Sequence, residues 1–226
     1  MDAEVHGAML PPGVMPLPWP RNDSVTAATR MLTAAAVFLL SVAASVAPAG
    51  AAPGLRSAPR WPGDRITYVD RSGYPADVAA AVAEWNATPA AARFVPTPRG
   101  YHADVVLRDV HHYDAGWDGD TRMAWDARGR VYGTAGVALN VSYLHDESRL
   151  QRTDVIAHEL GHALGLVHIR DRCALMSPSA SPLPDRCGVG APPGFVRCGP
   201  QPVDVAALIG RYGGRMGRFG GLLCPL

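Results

Sequence analysis

The chain has 226 residues, of which 48% are hydrophobic, and a formal net charge of +1. This length and apolar fraction suffice for one domain with a buried core, together with extra terminal sequence. A net charge so near zero gives no electrostatic basis for binding nucleic acid or an anionic membrane surface, so we expect neither as a partner.

The N-terminal region carries an uncharged apolar run at residues 32–46, which follows Arg30 and precedes small residues ending at Ala51. A membrane-spanning helix needs about 20 apolar residues, so the run is short for a span and typical of a secretory signal. We therefore predict that residues 1–51 are an N-terminal extension and signal peptide and that the protein is secreted. An N-terminal membrane anchor is the alternative. Residues 52–60 are interpreted as a linker, and residues 61–226 as one folded domain.

The apolar periodicity and the turn residues predict the elements of this domain in chain order. They are a strand at 66–69, a helix at 76–85, strands at 94–95 and 103–108, long loops at 109–133 with at most one irregular strand near 123–125, a strand at 134–140, a helix from about 149 to Gly165, an irregular segment at 177–200 and a closing helix at 203–212. This order predicts the α+β class.

The helix before Gly165 carries the most informative pattern in the chain. His158 and His162 lie four residues apart, so both rings lie on one helix face and can reach a single metal ion. Gly165 can adopt a left-handed conformation, ending the helix and turning the chain back so that His168 becomes a third ligand. Three protein ligands leave one position for water, as in catalytic zinc sites. Glu159 can hydrogen-bond that water without ligating the metal. An amphipathic core helix with satisfied histidines is the alternative.

These residues resemble the metzincin zinc peptidases, whose extended motif is H-E-x-x-H-x-x-G-x-x-H followed by a Met-turn. Residues 173–178 resemble that turn, with Met176 as the methionine that packs beneath the histidines. The residues of both motifs are most similar to those of the matrixin, or matrix metalloproteinase-like, branch. Residues 201–213 resemble the closing helix of that branch. The resemblance is strong over residues 149–213 and diffuse over 61–148.

The resemblance implies a zincin-like fold and a peptidase function. The fold would be a twisted, mostly parallel, mixed five-stranded sheet with two long helices, a zinc cleft, and a small C-terminal subdomain after Gly165 that holds the closing helix. An edge strand within residues 109–133 would pair with the substrate. The protein would be a monomeric zinc endopeptidase with a protein or peptide substrate.

In that function, His158, His162 and His168 would hold one catalytic zinc ion and Glu159 would act as general base on the zinc-activated water. Two alternatives stay open. A catalytically idle zinc-fold module could bind a partner through the same cleft, although Glu159 argues against it. A zinc hydrolase with a non-peptide substrate would need no extended edge strand beside the cleft.

A second metal ion is a further open question. Matrixins carry a structural zinc bound by His and Asp in the loops before the active-site helix, and the candidates in that region are His102, Asp104, His111, His112 and Asp114. The family's Asp-Gly-Pro loop does not follow His102 and Asp104, so solvated loop histidines are the default expectation. The Asp-Gly-Asp run at 118–120 could donate oxygens to calcium, or form a solvated acidic turn.

All four cysteines lie in the C-terminal quarter of the chain: Cys173, Cys187, Cys198 and Cys224. An even number of cysteines in an exported chain predicts two disulfides. Pairing between nearest neighbours closes the shortest loops, but three connectivities are open.

Overall fold

The structure is a computed structural model that describes residues 59–98, 101–114, 116–171, 173–178 and 195–225. The predicted signal peptide at 1–51, most of the predicted linker, and Cys187 lie outside the described residues. Among the helices in the described ranges, none is long and apolar enough to cross a membrane.

The described residues form four helices and seven strands, which confirms the α+β class. In chain order they are β1 (Arg65–Arg71), α1 (Pro75–Asn86), β2 (Arg93–Pro96), β3 (Val105–Val110), β4 (Gly119–Trp125), β5 (Val131–Asn140), α2 (Val141–Leu144), α3 (Arg149–Ala163), β6 (Phe195–Cys198), α4 (Pro202–Tyr212) and β7 (Leu222–Pro225).

A five-stranded sheet with the order β2-β1-β3-β5-β4 forms the centre of the fold. β1 pairs in parallel with β2 and β3, β3 pairs in parallel with β5, and β4 runs antiparallel to β5 at the edge. The mostly parallel mixed sheet is therefore confirmed. The irregular strand expected near 123–125 is present as the end of β4, whose register with β5 shifts between Arg122 and Ala124. The loops expected around it are shorter than predicted, since β4 begins at Gly119 and β5 begins at Val131. Gly, Asp and Arg are weak strand formers, and here pairing with β5 overrides their local preference.

The hydrophobic core lies between one face of the sheet and helices α1 and α3. Along β5, the alternate residues Ala135, Val137 and Leu139 are fully buried, as expected for a strand with one face in the core. Trp85 of α1 joins the two helices, because its indole N–H donates to the Ala157 carbonyl at 2.8 Å. The core thus fixes α3, the helix that carries the histidine motif, against α1 and the sheet.

Helix α3 ends in the turn that the sequence predicts. Gly165 has a φ of 83°, its N–H donates to the His162 carbonyl at 2.7 Å, and the Leu166 N–H donates to the Gly161 carbonyl at 3.0 Å. This pair of bonds is the Schellman motif. A Cβ on Gly165 would also lie 1.8 Å from the Pro59 carbonyl oxygen, so both backbone conformation and space require glycine here.

The part of the chain after Gly165 is small and is held by a disulfide. β6 and β7 pair antiparallel, and Cys198 of β6 is bonded to Cys224 of β7. Residues 195–198 form a strand although the sequence predicts an irregular segment at 177–200. Helix α4 lies where the closing helix is predicted, and its Tyr212 hydroxyl donates to the Leu164 carbonyl at 3.1 Å.

Candidate metal centre

The three histidines of the motif meet at one point in the structure. The Nε2 atom of His162 lies 3.1 Å from Nε2 of His158 and 3.2 Å from Nε2 of His168. One ring nitrogen from each residue lies within 4.8 Å of the others, so the group could hold a metal ion. Helix α3 supplies the first two rings, and the reversal at Gly165 brings in the third.

Backbone carbonyls orient two of the rings. Nδ1 of His158 lies 2.7 Å from the Leu175 carbonyl oxygen, and Nδ1 of His162 lies 2.9 Å from that of Leu166. A ring nitrogen that faces a carbonyl oxygen carries the hydrogen, so the Nε2 atom of a neutral ring presents a lone pair. Two lone pairs 3.1 Å apart repel each other unless a cation lies beside both.

The distances between these nitrogens fit zinc. Tetrahedral zinc with Zn–N bonds of about 2.0–2.1 Å places its ligand nitrogens about 3.3 Å apart. The observed separations of 3.1 Å and 3.2 Å lie close to that value. The donor set, three imidazoles and no thiolate, is also one that catalytic zinc uses.

Burial keeps the His162 ring in its metal-binding form. Only 3% of this residue is exposed, and desolvation lowers the pKa of His162 to about 4, while the Leu166 carbonyl opposes the shift and His168 adds to it. His162 is therefore neutral at pH 7, and a neutral imidazole is the form that ligates a metal.

Glu159 is a buried carboxyl between α3 and the edge strand β4. It is 2% exposed, and the Thr121 hydroxyl lies 2.7 Å from its Oε2 atom. Burial raises the pKa of Glu159 to about 8; the hydrogen bond from Thr121 opposes this, while Asp120 and Asp118 add to it. In the metal-free protein, burial thus favours the protonated form of this carboxyl.

Met176 packs directly beneath the histidine helix. It is fully buried, and a Cβ on Gly161 would lie 2.3 Å from its sulfur and 3.0 Å from Cζ2 of Trp85. The glycine before His162 therefore leaves the space that the methionine fills.

Asp204 of α4 holds the turn that contains Met176. Its carboxylate accepts the N–H of Leu175 at 2.8 Å and that of Met176 at 3.0 Å. The Leu175 carbonyl in turn faces the ring of His158. A residue of the closing helix is thereby linked to the orientation of a histidine through one backbone unit.

No second ion site is shown by the structure. In the part of the chain that it describes, the three histidines are the only group of three or more His, Cys, Asp or Glu side chains close enough to share an ion. Asp104 accepts both the N–H and the hydroxyl of Thr67, and Asp120 accepts the Nε–H of Arg122 at 2.7 Å. His112 lies against the Trp117 ring, with 5.5 Å between centroids.

Comparison with known proteins identifies the family. The family model of matrixins matches residues 72–187, just over half of the 226-residue chain. The chain belongs to the matrixin family. No curated protein matches it. Membership indicates a zinc-dependent metallopeptidase with peptide substrates, and the matched range contains all three histidines and Glu159.

The sequence analysis does not predict three residues that contact the site of this matrixin. Gly119 and Thr121 contact Glu159 but lie in the region that was predicted to be mostly loops. Asp204 lies three residues after Gln201, whose N–H donates to it at 2.8 Å. An acidic residue at this position is a helix-start signal that could have indicated the cap of α4, but not the contact of Asp204 with the turn that contains Met176.

Proposed function

We propose that this matrixin is a secreted zinc endopeptidase in which His158, His162 and His168 hold one zinc ion and Glu159 is the general base. The convergence of the three Nε2 atoms beside a buried carboxyl carries the proposal. Residues 61–226 would form the catalytic domain, preceded by the linker at 52–60 and the signal peptide at 1–51.

The mechanism assigns each side chain a separate task. The three imidazoles would hold a zinc ion, which would supply Lewis-acid activation of water and of the scissile carbonyl. Glu159 takes a proton from the attacking water and delivers it to the leaving amine. Met176 supports the rings by packing and takes part in no proton transfer.

The position of β4 favours a peptide substrate over a non-peptide one. β4 is the edge strand of the sheet, and its Thr121 contacts Glu159, so the strand runs beside the reacting groups. The free side of an edge strand can pair with an extended peptide through backbone hydrogen bonds. This supports peptide hydrolysis against the alternative of a zinc hydrolase for another substrate class.

The buried Glu159 argues against a catalytically idle binding module. Keeping a carboxyl desolvated next to a metal site costs stability, and a module that only binds has no use for that carboxyl. The Cys198–Cys224 disulfide supports secretion, because disulfides persist in oxidising compartments. We propose that the protein acts as a monomer, because all residues of the described site come from one chain.

Zinc content and hydrolysis measured on the same preparation test the function. The mature chain is expected to contain one zinc ion and to cleave casein or gelatin, to lose both on treatment with a chelator, and to regain both when zinc returns. A preparation with one bound zinc ion that cleaves neither protein nor a panel of peptides would point instead to the binding module.

A further inference from the structure

We infer that Gly119 and Thr121 of β4 are positioning residues that fix the direction of the Glu159 carboxylate. The edge strand proposed to bind the peptide would then also orient the general base. The inference rests on the proposed function, since it takes Glu159 to be that base. It adds two residues to the site that the zinc motif itself does not contain.

Gly119 supplies the space in which the Glu159 side chain lies. A Cβ at this position would lie 2.5 Å from Cγ, 2.9 Å from Cδ and 2.9 Å from Oε1 of Glu159. Real Cβ contacts are never so short, so any other residue would displace the carboxylate or the strand. Gly119 is itself buried, which leaves the carboxylate in close contact with the strand backbone.

Thr121 supplies the directional contact. It follows Gly119 by two residues, so both face the same side of β4. The Thr121 hydroxyl oxygen lies 2.7 Å from Oε2 of Glu159 and 3.0 Å from the Glu159 carbonyl oxygen. Of these two acceptors, the carboxyl oxygen is the nearer one, so the hydroxyl contacts the carboxyl end of the side chain directly.

The stiffness of threonine makes this contact a positioning device. A β-branched side chain has few χ1 rotamers, and Thr121 is 2% exposed, so its hydroxyl is held in place. Gly119 provides the space in which the Glu159 side chain lies, and Thr121 provides a hydroxyl contact to its carboxyl from the sheet. A peptide that pairs with β4 orders the same strand, which couples substrate binding to alignment of the base.

Replacing the hydroxyl by a methyl group tests the inference. In zinc-loaded protein, Thr121→Val is expected to lower kcat about 10- to 100-fold with KM changed less than about twofold, since a misplaced catalytic group costs rate rather than binding. Thr121→Ser should restore most of kcat. The matched control is Thr134→Val on β5, whose hydroxyl contacts the Ala103 carbonyl at 3.1 Å, and it should leave kcat unchanged.

A second measurement needs no activity. In metal-free, ¹³C-glutamate-labelled protein, the carboxyl resonance of Glu159 is assigned by its loss in Glu159→Gln. The chemical shift of that resonance should change in Thr121→Val. In Thr121→Ser it should be close to the value of the parent protein. Thr121→Ala provides the same comparison if the valine variant does not fold.

The outcomes separate the inference from the proposed function. An unchanged kcat and resonance in Thr121→Val, or a loss that serine does not rescue, overturns the positioning role. A rise in KM with constant kcat overturns it too, because that pattern means the hydroxyl only shapes the strand. Full activity in zinc-loaded Glu159→Gln overturns the proposed function itself, whatever Thr121→Val does.

Discussion

Leu166 shows how single backbone groups set the chemistry of this site. Its N–H closes the turn at the end of α3, and its carbonyl oxygen lies 2.9 Å from Nδ1 of His162. The turn that redirects the chain toward His168 therefore also orients the ring of His162. Zinc competes with protons for the ring nitrogens, so zinc affinity should fall on acidification.

Removing His168 tests whether the chain reversal supplies a ligand. His168→Ala is expected to weaken zinc binding by at least about 100-fold although His158 and His162 remain, because two ligands do not complete a catalytic zinc site. Equilibrium dialysis measures the affinity, and His145→Ala, at an exposed residue, is the matched control. Stoichiometric zinc held as tightly as in the parent would show that His168 is not a ligand.

Glu84 is a second buried carboxyl, away from the proposed reaction. It extends from α1 toward Asp154 of α3, and a Cβ on Gly199 would lie 2.5 Å from its Oε2 atom. This Oε2 atom is buried and has no hydrogen-bond partner among the described residues. Burial first, and then Asp154, raises the pKa of Glu84 to about 8.

This raised pKa predicts that Glu84→Gln increases the free energy of unfolding, by an amount that depends on pH. The folded state binds the proton more tightly than the unfolded chain, so the parent loses stability as the pH rises from about 4.5 to about 8. Glutamine carries no charge at any pH. The variant should be more stable than the parent at pH 9, by on the order of 2 kcal/mol, with no such gain at pH 4.

Urea denaturation at the two pH values measures this difference. Glu147→Gln, at a partly exposed residue before α3, is the matched control and should show no comparable dependence. Equal gains for Glu84→Gln at pH 4 and pH 9 would mean that the charge on Glu84 is not what destabilises the parent.

At the scale of elements, α3 and β4 differ in how far sequence determines them. Local signals specify α3: Ser148 and Gln151 form a capping box, the apolar periodicity continues, and Gly165 ends the helix. β4 depends on distant partners. Gly119 is a poor strand former, and the buried Thr121 contacts Glu159 of a distant helix, so the sequence predicts only the irregular end of this strand near 123–125.

The C-terminal strands likewise depend on a long-range link. β6 and β7 are four residues each, and 26 positions separate the bonded residues Cys198 and Cys224. The sequence predicts two disulfides but leaves their connectivity open, because cysteine spacing alone does not bring two positions together. Pairing between the two strands is what places these two sulfurs side by side.

Replacing this disulfide should destabilise the domain without altering the metal site. The double variant Cys198→Ser, Cys224→Ser is expected to lose about 2–4 kcal/mol of unfolding free energy, since the cross-link restricts the unfolded chain. Denaturant titration measures the loss, and zinc stoichiometry serves as the internal control. An unchanged unfolding free energy would show that the cross-link does not stabilise the domain.

At the scale of the whole molecule, the site joins two parts of one chain. Helix α3, which packs on the sheet, carries His158, Glu159 and His162, and the segment after Gly165 carries His168 and Met176. Motif spacing predicts which residues converge. It does not predict that Asp204 would connect the closing helix to the Met-turn, because that contact depends on how the two parts pack.

The oxidation state of the chain tests the proposed export. We predict that all four cysteines of the mature protein are paired and that none binds the metal ion, as expected in an oxidising compartment. Thiol titration of the unreduced, denatured, metal-free protein should find no free thiol. One or more free thiols per chain would contradict the prediction for Cys173 and Cys187.

The turnover of zinc-loaded Glu159→Gln tests the central claim most directly, since it leaves the three ligands in place and removes only the base. We expect one zinc ion per chain and a kcat/KM for peptide hydrolysis lower than the parent's by about two to four orders of magnitude. Near-parental turnover in a variant shown to hold one zinc ion would contradict the account.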